Sequence, residues 1–376
     1  MAKRRRRKLP SILQQPMYYA IRAVLGAMLT GDIDANLRTA RALGRAWARF
    51  EPKRVQRAVE NIAVAFPDMP EDQRMAHAMQ SYEHLFMLGV ETAYTARLIN
   101  HDGWSEHVRM GDLRETVRLL TADRPCLLLT GHCGNWELLG YTLALIGFPI
   151  HALYRPLDLK PMDQWVRRTR ERRGLVLVDK FGAAEAVTKV MRKRGLLGFI
   201  ADQNAGDRGL FVPFFNRLAA TYKTIGLLAI RYDAPILCGQ ARRLVWERDH
   251  ATENNAETMG KSRSLGFAEW SGEPFRYRVD IHDIIMPEDW KHQQDPLFYI
   301  TARYRRALEQ MVRNAPEQNL WLHRYWKSRP RHERMGRPMP EAMKDKIRAL
   351  PWITEGDLER IEERSRRDAL EAVGVG

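Results

Sequence analysis

The stretch that decides the fold is Cys126-Leu127-Leu128-Leu129-Thr130-Gly131-His132-Cys133-Gly134-Asn135-Trp136-Glu137. It opens with a five-residue apolar run, passes through two glycines, and enters a helical pattern that continues from Trp136 to Ile146. A short apolar run without polar alternation is typical of a strand buried on both faces of a parallel sheet. The stretch therefore predicts one strand–turn–helix unit of an α/β domain.

The same alternation of an apolar run and a helical pattern recurs downstream of this unit. Further apolar runs of strand length are found at Pro149 to Tyr154, Leu175 to Val178, Leu196 to Ala201 and Ile236 to Cys238. Helical patterns separate them at Gln164 to Arg173, Ala183 to Arg194 and Tyr222 to Tyr232. Alternation of this kind predicts an α/β fold with a largely parallel central sheet flanked by helices.

The flanking regions differ from this centre. Residues from about Asp32 to Thr95 are expected to be helical, with breaks at Pro67 and Pro70. Arg242–Glu247 and Phe275–Ile281 are predicted to form an antiparallel pair, joined by a polar surface loop over Arg248–Gly272. Beyond Pro330 the chain is charged and is expected to form a separate helical tail. We divide the chain into 1–31 (polybasic arm and membrane-interface helix), 32–330 (catalytic domain) and 331–376 (tail).

The N-terminal region combines a basic run with an apolar helix face. Lys3 to Lys8 are all Lys or Arg, and the following helix places apolar residues on one side: Met17, Ile21, Val24, Leu25 and Met28. Such a pair of features attaches peripheral enzymes to anionic lipid. No run of about 18 apolar residues predicts a spanning helix, so we expect a peripheral or monotopic protein with a retained N-terminus. The alternatives are a solvated tail before an ordinary core helix and an arm that binds nucleic acid.

The charge and the cysteines limit the partners and the compartment. The chain has 61 Lys and Arg against 46 Asp and Glu, a formal net charge of +15. This excess favours an acidic partner, which includes anionic membranes, phosphorylated substrates, acidic carrier proteins and nucleic acid. Three cysteines without metal-ligand spacing argue against a disulfide framework and against a zinc site. A reducing compartment that faces the cytoplasm fits best.

A candidate catalytic pair lies in the opening stretch. His132 follows the strand directly, and the carboxyl ends of strands are where open α/β sheets place their sites. Glu137 is five residues later, about 140° away on a continuous helix, so the two side chains meet only if His132 lies in the turn. A carboxylate that orients the imidazole makes histidine a general base. The alternatives are a structural histidine near a glutamate and a nucleophilic Cys133, which His132 is badly placed to activate.

Other polar residues follow neighbouring strand ends. Arg155 comes after the next strand and Arg170 lies on the helix beyond it, so both are candidates to bind phosphate or carboxylate groups. Asp202 and Gln203 follow the run from Leu196 to Ala201, where they either orient a site group or form a plain turn.

Taken together these residues resemble the late acyltransferases of lipid A biosynthesis, the lauroyl and myristoyl transferases, within the lysophospholipid acyltransferase superfamily. The resemblance runs from about Met17 to Pro330 and is most specific at His132 to Glu137, a histidine, four residues and an acid. Supporting marks follow in order: Tyr154-Arg155-Pro156, Arg170 with Gly174, Asp202-Gln203, Val212 to Asn216, and Trp321 to Lys327. Ordered matches carry more weight than any single short motif.

The resemblance implies an O-acyltransferase on the cytoplasmic face of the inner membrane. His132 would take the proton of an acceptor hydroxyl, and Glu137 would hold its imidazole. Arg155 and Arg170 would bind phosphate or the phosphopantetheine part of the donor, and Asp202 would position one of these arginines. Asn135 and Gln203 complete the predicted substrate-binding set.

The implied partners are a membrane lipid acceptor and an acyl thioester. Acyl-ACP (acyl carrier protein) or acyl-CoA would serve as co-substrate, with no bound cofactor, no metal and no nucleic acid. The chain departs from the family pattern at Lys223, where a small hydroxyl residue is expected, and in the 248–272 segment and the tail. The alternative function is a basic nucleic-acid-binding protein without catalysis.

Overall fold

The computed structural model describes residues 10–154, 156–171, 174–179, 182–244 and 275–374. The first half contains α1 (Ser11–Thr30), α2 (Ile33–Ala48), α3 (Pro52–Ala65), α4 (Glu71–Leu98), α5 (Trp104–His107), β1 (Val108–Met110), α6 (Arg114–Thr121), β2 (Cys126–Thr130), α7 (Trp136–Leu145), β3 (Ile150–Tyr154), α8 (Lys160–Glu171), β4 (Val176–Asp179), α9 (Ala183–Arg192) and β5 (Leu196–Ile200). The second half contains β6 (Leu210–Phe214), β7 (Arg217–Thr221), α10 (Lys223–Tyr232), β8 (Ile236–Arg243), β9 (Tyr277–Ile285), α11 (Pro287–Lys291), α12 (Pro296–Asn314), α13 (Arg331–Arg334), α14 (Glu341–Arg348) and α15 (Glu355–Ala372).

Within these ranges the main sheet has seven strands in the order β1-β9-β8-β2-β5-β3-β4. All neighbours are parallel except β8 and β9, which pair antiparallel with Arg242 opposite Arg278. The α/β fold with a largely parallel sheet is thus confirmed. An antiparallel pair is present, but β8 begins at Ile236, and of the predicted strand Arg242–Glu247 only Arg242 and Arg243 pair with β9, while residues 245–247 lie outside the described residues. Strands β6 and β7 form a separate antiparallel ribbon, which the strand pattern did not predict.

Strand β2 lies in the middle of the sheet and is covered on both sides. Leu127 and Leu129 face the core formed with α9, α10 and α12, while Leu128 faces the core formed with α4 and α7. Successive residues of a strand point to opposite faces, so a strand buried on both faces must be apolar throughout. The carboxyl ends of β2 and β5 are consequently adjacent, with Thr130 opposite Ile200.

The N-terminal helices follow the expected pattern. Helix α3 ends at Ala65 and α4 begins after Pro70, so the break falls where the prolines predicted it. In α1 the predicted apolar face is divided: Met17 and Val24 are exposed, while Met28 packs on the core. Among the described residues, no helix is both long and apolar enough to cross a membrane. The predicted basic run at Lys3–Lys8 and the loop over Arg248–Gly272 lie outside the described residues.

The C-terminal helices pack on the main body of the protein. Ile347, Leu358 and Ile361 are buried in the core that also contains α10 and α12. Asp368 of α15 accepts hydrogen bonds of 2.7 Å from Arg217 and 2.6 Å from Arg329. The tail is therefore not a separate appendage, as the sequence suggested. Its charged helices also carry apolar residues at helical spacing, and this apolar face packs on the main body. The domain boundaries at residues 31 and 330 stay predictions.

Candidate active site

The site is built where β2 and β5 end side by side. The amide of Ala201 donates to the carbonyl of Thr130 at 3.0 Å, so the two strands remain in register to their last residues. The next side chains then meet: His132 Nδ1 lies 2.7 Å from Asp202 Oδ1. The backbone amide of His132 also donates to Asp202 Oδ2 at 3.0 Å. Both carboxylate oxygens of Asp202 thus fix the position of His132.

Asp202 is held as a buried carboxylate. Only 3% of the residue is exposed, and burial alone raises its pKa; the charge of His132 and the hydrogen bonds from that residue outweigh burial and lower the pKa below its ordinary value. An ionised carboxylate only accepts hydrogen bonds, so Nδ1 must carry the proton. The lone pair of neutral His132 is therefore on Nε2, the nitrogen that a general base uses.

Arg305 of α12 supports Asp202 from behind. Its Nη1 donates to the Asp202 carbonyl at 2.7 Å, and its guanidinium lies 3.8 Å from the centroid of the Phe214 ring. Arg305 has no exposed surface. Sequence reasoning missed it, since one arginine among several in α12 carries no signal of its burial.

In this structure the bonded partner of Glu137 is Arg170, so no observed contact supports its predicted role of orienting the imidazole. Its Oε1 accepts a 2.5 Å hydrogen bond from Arg170 Nη2, while the imidazole bonds Asp202. The reason is the direction of the elements: Nδ1 of His132 faces the neighbouring strand end, and the first turn of α7 faces α8. Asp202 likewise orients the histidine rather than an arginine. Glu137 and Arg170 nevertheless both line the same cavity as His132.

That cavity has a volume of about 310 Å³ and lies between α7 and the sheet. Its walls are mostly apolar, with Leu139, Leu143, Leu175 and other aliphatic side chains, and His132, Glu137 and Arg170 lie among its polar lining residues. A cavity of this kind, with a few convergent polar groups, is the usual form of a small-molecule site. Its apolar character suits a hydrocarbon chain.

Three buried polar atoms of the lining have no hydrogen-bond partner among the described residues: Thr130 Oγ1, Tyr154 Oη and Arg170 Nε. Buried polar groups are nearly always paired, because an unpaired one costs about 1–3 kcal/mol. Their convergence on one cavity indicates that substrate groups complete their bonding.

The turn that carries His132 is fastened to the core by Asn135. This residue is wholly buried; its Oδ1 accepts from the Leu138 amide at 2.9 Å and thereby caps α7. Its Nδ2 donates to Glu91 Oε2 at 3.0 Å, and Arg243 Nε donates to Glu91 Oε1 at 2.5 Å. The predicted substrate-binding role of Asn135 gains no support, since both ends of the side-chain amide bond groups inside the protein.

The amides after His132 are also occupied. Gly134 N donates to the Gln318 carbonyl at 3.0 Å, and Asn135 N donates to the Ala241 carbonyl at 2.7 Å. Gly134 has a φ of 72°, and a Cβ there would meet the Ala241 carbonyl oxygen at 2.2 Å, so only glycine fits. These two amides are therefore unavailable to stabilise substrate charge.

His323 is a second histidine that sequence reasoning did not single out. Its ring centroid is 4.7 Å from that of His132, on which Trp136 also packs at 4.7 Å. Burial, and then the charge of His132, lower the pKa of His323 to about 4. The residue is therefore neutral near pH 7. Its only signal was its place in the family-like run from Trp321 to Lys327.

Cys133 is not a nucleophile in this structure. Its thiol is buried and contacts the carbonyls of Met311 and Ala315 at 3.5 and 3.4 Å. Burial raises the pKa of the thiol well above its ordinary value, so a thiolate does not form at neutral pH. The strand and the turn point His132 and Cys133 in different directions.

The remaining predicted residues are less informative. Arg155 lies outside the described residues. Gln203 is half-buried after Asp202 and is not among the residues that line the cavity. No group of three His, Cys, Asp or Glu side chains in the described ranges could hold a metal ion.

Comparison with known proteins identifies the family of this chain. Residues 5–245 match the family described as "Bacterial lipid A biosynthesis acyltransferase". The lipid A biosynthesis lauroyltransferase of Escherichia coli K12 is 26% identical over 296 residues, which cover 77% of this chain and 84% of that enzyme. The palmitoleoyltransferase of the same strain is 24% identical over 290 residues, which cover 75% of this chain and 81% of the relative.

Proposed function

This chain belongs to the bacterial lipid A biosynthesis acyltransferase family, and we propose that it transfers a fatty acyl chain from a thioester to a hydroxyl of a lipid A-type glycolipid. The observation that carries the proposal is the 2.7 Å hydrogen bond between His132 and Asp202, because His132 also lines an apolar cavity. The nucleic-acid alternative gains no support from the family match or from the site.

His132 acts as the general base. Nε2 takes the proton of the acceptor hydroxyl while Asp202 stabilises the imidazolium that forms. The hydroxyl oxygen attacks the thioester carbonyl carbon, a tetrahedral intermediate forms, and its collapse breaks the C–S bond. His132 then returns the proton to the departing thiolate. The step needs no covalent acyl-enzyme, which agrees with the buried, protonated Cys133 thiol.

Arg170 is the best-placed group to stabilise the oxyanion. It lines the cavity, its orientation is fixed by Glu137, and its buried Nε has no partner among the described residues. A positioned cation of this kind is worth most where water is excluded. Glu137 is thus retained as a site residue, with the role of holding Arg170.

The donor's acyl chain occupies the cavity between α7 and the sheet. The thioester would lie at its polar end near His132, and the methyl end would lie among Leu139, Leu143 and Leu175. The donor is an acyl carrier protein or coenzyme A thioester, and an acidic carrier would suit the net charge of +15.

The enzyme would work as a peripheral protein at the inner membrane. Helix α1 exposes Ile12, Met17, Tyr19 and Val24 to solvent, and only part of its surface packs on the protein. An exposed apolar helix face beside a basic segment is the usual form of an interfacial anchor.

The test is thiol release by the purified full-length protein with an acyl thioester. We expect free thiol only when the glycolipid acceptor is present, and a product heavier by one acyl group. His132→Ala should abolish both, while Cys133→Ala should retain at least about a third of the rate, since the thiol plays no chemical part. Full activity of His132→Ala would refute the proposal, and loss in Cys133→Ala alone would favour a thiol hydrolase.

A further inference from the structure

A second cleft lies between α1 and α8, next to the acyl cavity. It encloses about 440 Å³ and is lined by Tyr18, Arg22, Trp165, Arg168 and neighbouring residues. A further groove along α8 shares Leu157 with the acyl cavity and Arg168 with the cleft, and it is also lined by Asp158, Asp163 and Glu171. The cleft therefore lies close to the catalytic cavity, and none of the catalytic roles above uses it.

The cleft is basic, and its cations are not neutralised. Arg22 and Arg168 have no carboxylate partner within the parts of the chain that the structure describes. The nearby Arg167 has only a 3.6 Å contact with Glu171, a weak exposed pair. Two arginines without acidic partners, in a cleft whose own lining contains no Asp or Glu, favour an anionic ligand.

Arg22 is held ready for such a ligand. Its guanidinium lies 4.8 Å from the Trp165 ring centroid and 6.0 Å from that of Tyr18. A stacked guanidinium keeps its N–H groups available at its edge, in a planar fork that matches phosphate oxygens. The hydroxyl of Tyr18 and the amides of Gln15 and Gln164 add neutral polar groups at the same cleft.

We propose that the α1–α8 cleft binds a phosphate group of a substrate while the acyl chain occupies the neighbouring cavity. This deepens the proposed function and rests on it. The same helix α1 exposes apolar residues toward solvent, so a headgroup at a membrane surface would reach the cleft. The phosphate belongs either to the glycolipid acceptor or to the phosphopantetheine donor. Kinetics with acceptors and donors that carry or lack a phosphate distinguish these two sources.

The experiment compares Arg22→Gln and Arg168→Gln with the parent chain in detergent micelles. The control is Arg192→Gln, an exposed arginine on α9 away from the cleft. One pair of acceptors is a glycolipid with a phosphomonoester and the same lipid after phosphatase treatment. One pair of donors is acyl-CoA and the acyl thioester of N-acetylcysteamine, which has no phosphate.

If the phosphate is the acceptor's, KM for the phosphorylated lipid should rise about tenfold in the cleft variants, which corresponds to about 1.4 kcal/mol, with kcat retained. KM for the dephosphorylated lipid should then be unaffected by the substitutions. If the phosphate is the donor's, the same rise should appear for acyl-CoA and not for the simple thioester. Arg168→Lys should recover part of the affinity in either case.

Unchanged KM values for both phosphorylated substrates would overturn the proposal that the cleft binds phosphate. An equal rise of KM in Arg192→Gln would overturn it as well. Failure of the proposed function is distinguishable, because then the parent chain itself would transfer no acyl group.

Discussion

His132 Nδ1 and Asp202 Oδ1 are 2.7 Å apart although the two residues are separated by 70 positions in the chain. The contact exists because β2 and β5 are parallel neighbours that end together. It sets the tautomer of the imidazole and stabilises its cation, so catalysis should depend on the carboxylate.

We therefore expect Asp202→Asn to lower kcat by about 10²- to 10⁴-fold, because the amide can present its N–H to Nδ1 and stabilise the wrong tautomer. Steady-state kinetics of thiol release measures this, and circular dichroism checks that the variant is folded. KM should change little. A variant with the parent kcat would show that Asp202 serves only the structure.

The acyl cavity should set the preferred chain length. Gly140 lies on the cavity side of α7, and a Cβ added there would have its nearest neighbour, Leu175 Cδ1, at 3.8 Å. Gly140→Leu fits the helix but fills the cavity. If it displaces three methylenes of about 0.8 kcal/mol each, kcat/KM for the longest accepted chain falls about fiftyfold, while shorter chains are spared.

The matched control is Gly89→Leu, an exposed glycine in α4 with no atom within 4 Å of an added Cβ. Both variants gain the same helix propensity of about 1 kcal/mol. Competition assays with a mixture of thioesters measure selectivity. An unchanged chain-length profile in Gly140→Leu would place the acyl chain elsewhere.

The buried Glu91–Arg243 pair should be essential to the turn that holds His132. Glu91 has no exposed surface and its carboxylate joins Asn135 to Arg243. Glu91→Ala leaves the Arg243 charge buried without its partner, and we expect a loss of about 3–5 kcal/mol in unfolding free energy. Denaturant titration measures it.

An exposed pair provides the control for this prediction. Glu115 of α6 bonds Arg118 at 2.7 Å on the surface, so Glu115→Ala should leave the denaturation midpoint unchanged within error. Equal midpoints for Glu91→Ala and the parent chain would mean that Asn135 and Arg243 hold the turn without the carboxylate.

His323 should make the protein less stable in acid. Its folded-state pKa of about 4 lies below the ordinary value of 6.5, so between these values the unfolded chain binds a proton that the folded chain does not. Stability is then complete above pH 6.5 and falls as the pH drops toward 4. The contribution is about 1–3 kcal/mol.

Unfolding free energies at pH 7 and pH 4.5 test this prediction in the parent chain and in His323→Phe. The substitution removes the titrating group and keeps a ring beside His132. We expect the acid loss to be smaller in the variant. The pKa values of His84, His282 and His332 are also lowered, and these residues contribute equally in both proteins. Equal losses would mean that His323 does not titrate in this range.

The strands were predicted well from the sequence where each apolar run corresponds to one buried strand. Strand β2 agrees with its predicted range residue for residue, and β3, β4 and β5 agree within one residue or so at each end. The three-residue β1 and the β6–β7 ribbon were missed. Strand β1 is too short to give a pattern, and the apolar run of β6 contains Pro213, which argues against a strand. Strand β8 is longer than predicted, because it pairs with β9 along its whole length and so continues past its apolar run.

The site was predicted only in part, because its residues come together from distant parts of the chain. Position at strand ends identified His132 and Asp202, but spacing along the chain suggested Glu137 as the partner of the histidine. Local spacing cannot show that β2 and β5 are neighbours. The partners Arg305 and Glu91 come from helices far along the chain, and their burial depends on packing that no local pattern records.

The most direct test of the central claim is the acyl transfer rate of His132→Ala, Asp202→Asn and the double variant, measured under identical saturating conditions. If Asp202 acts through His132, the double variant should be no slower than His132→Ala alone, since residues that act as one unit lose their effects together. We expect His132→Ala to be at least about 10³-fold slower than the parent chain. Near-parent rates in His132→Ala, or losses that multiply in the double variant, would contradict a His132–Asp202 base.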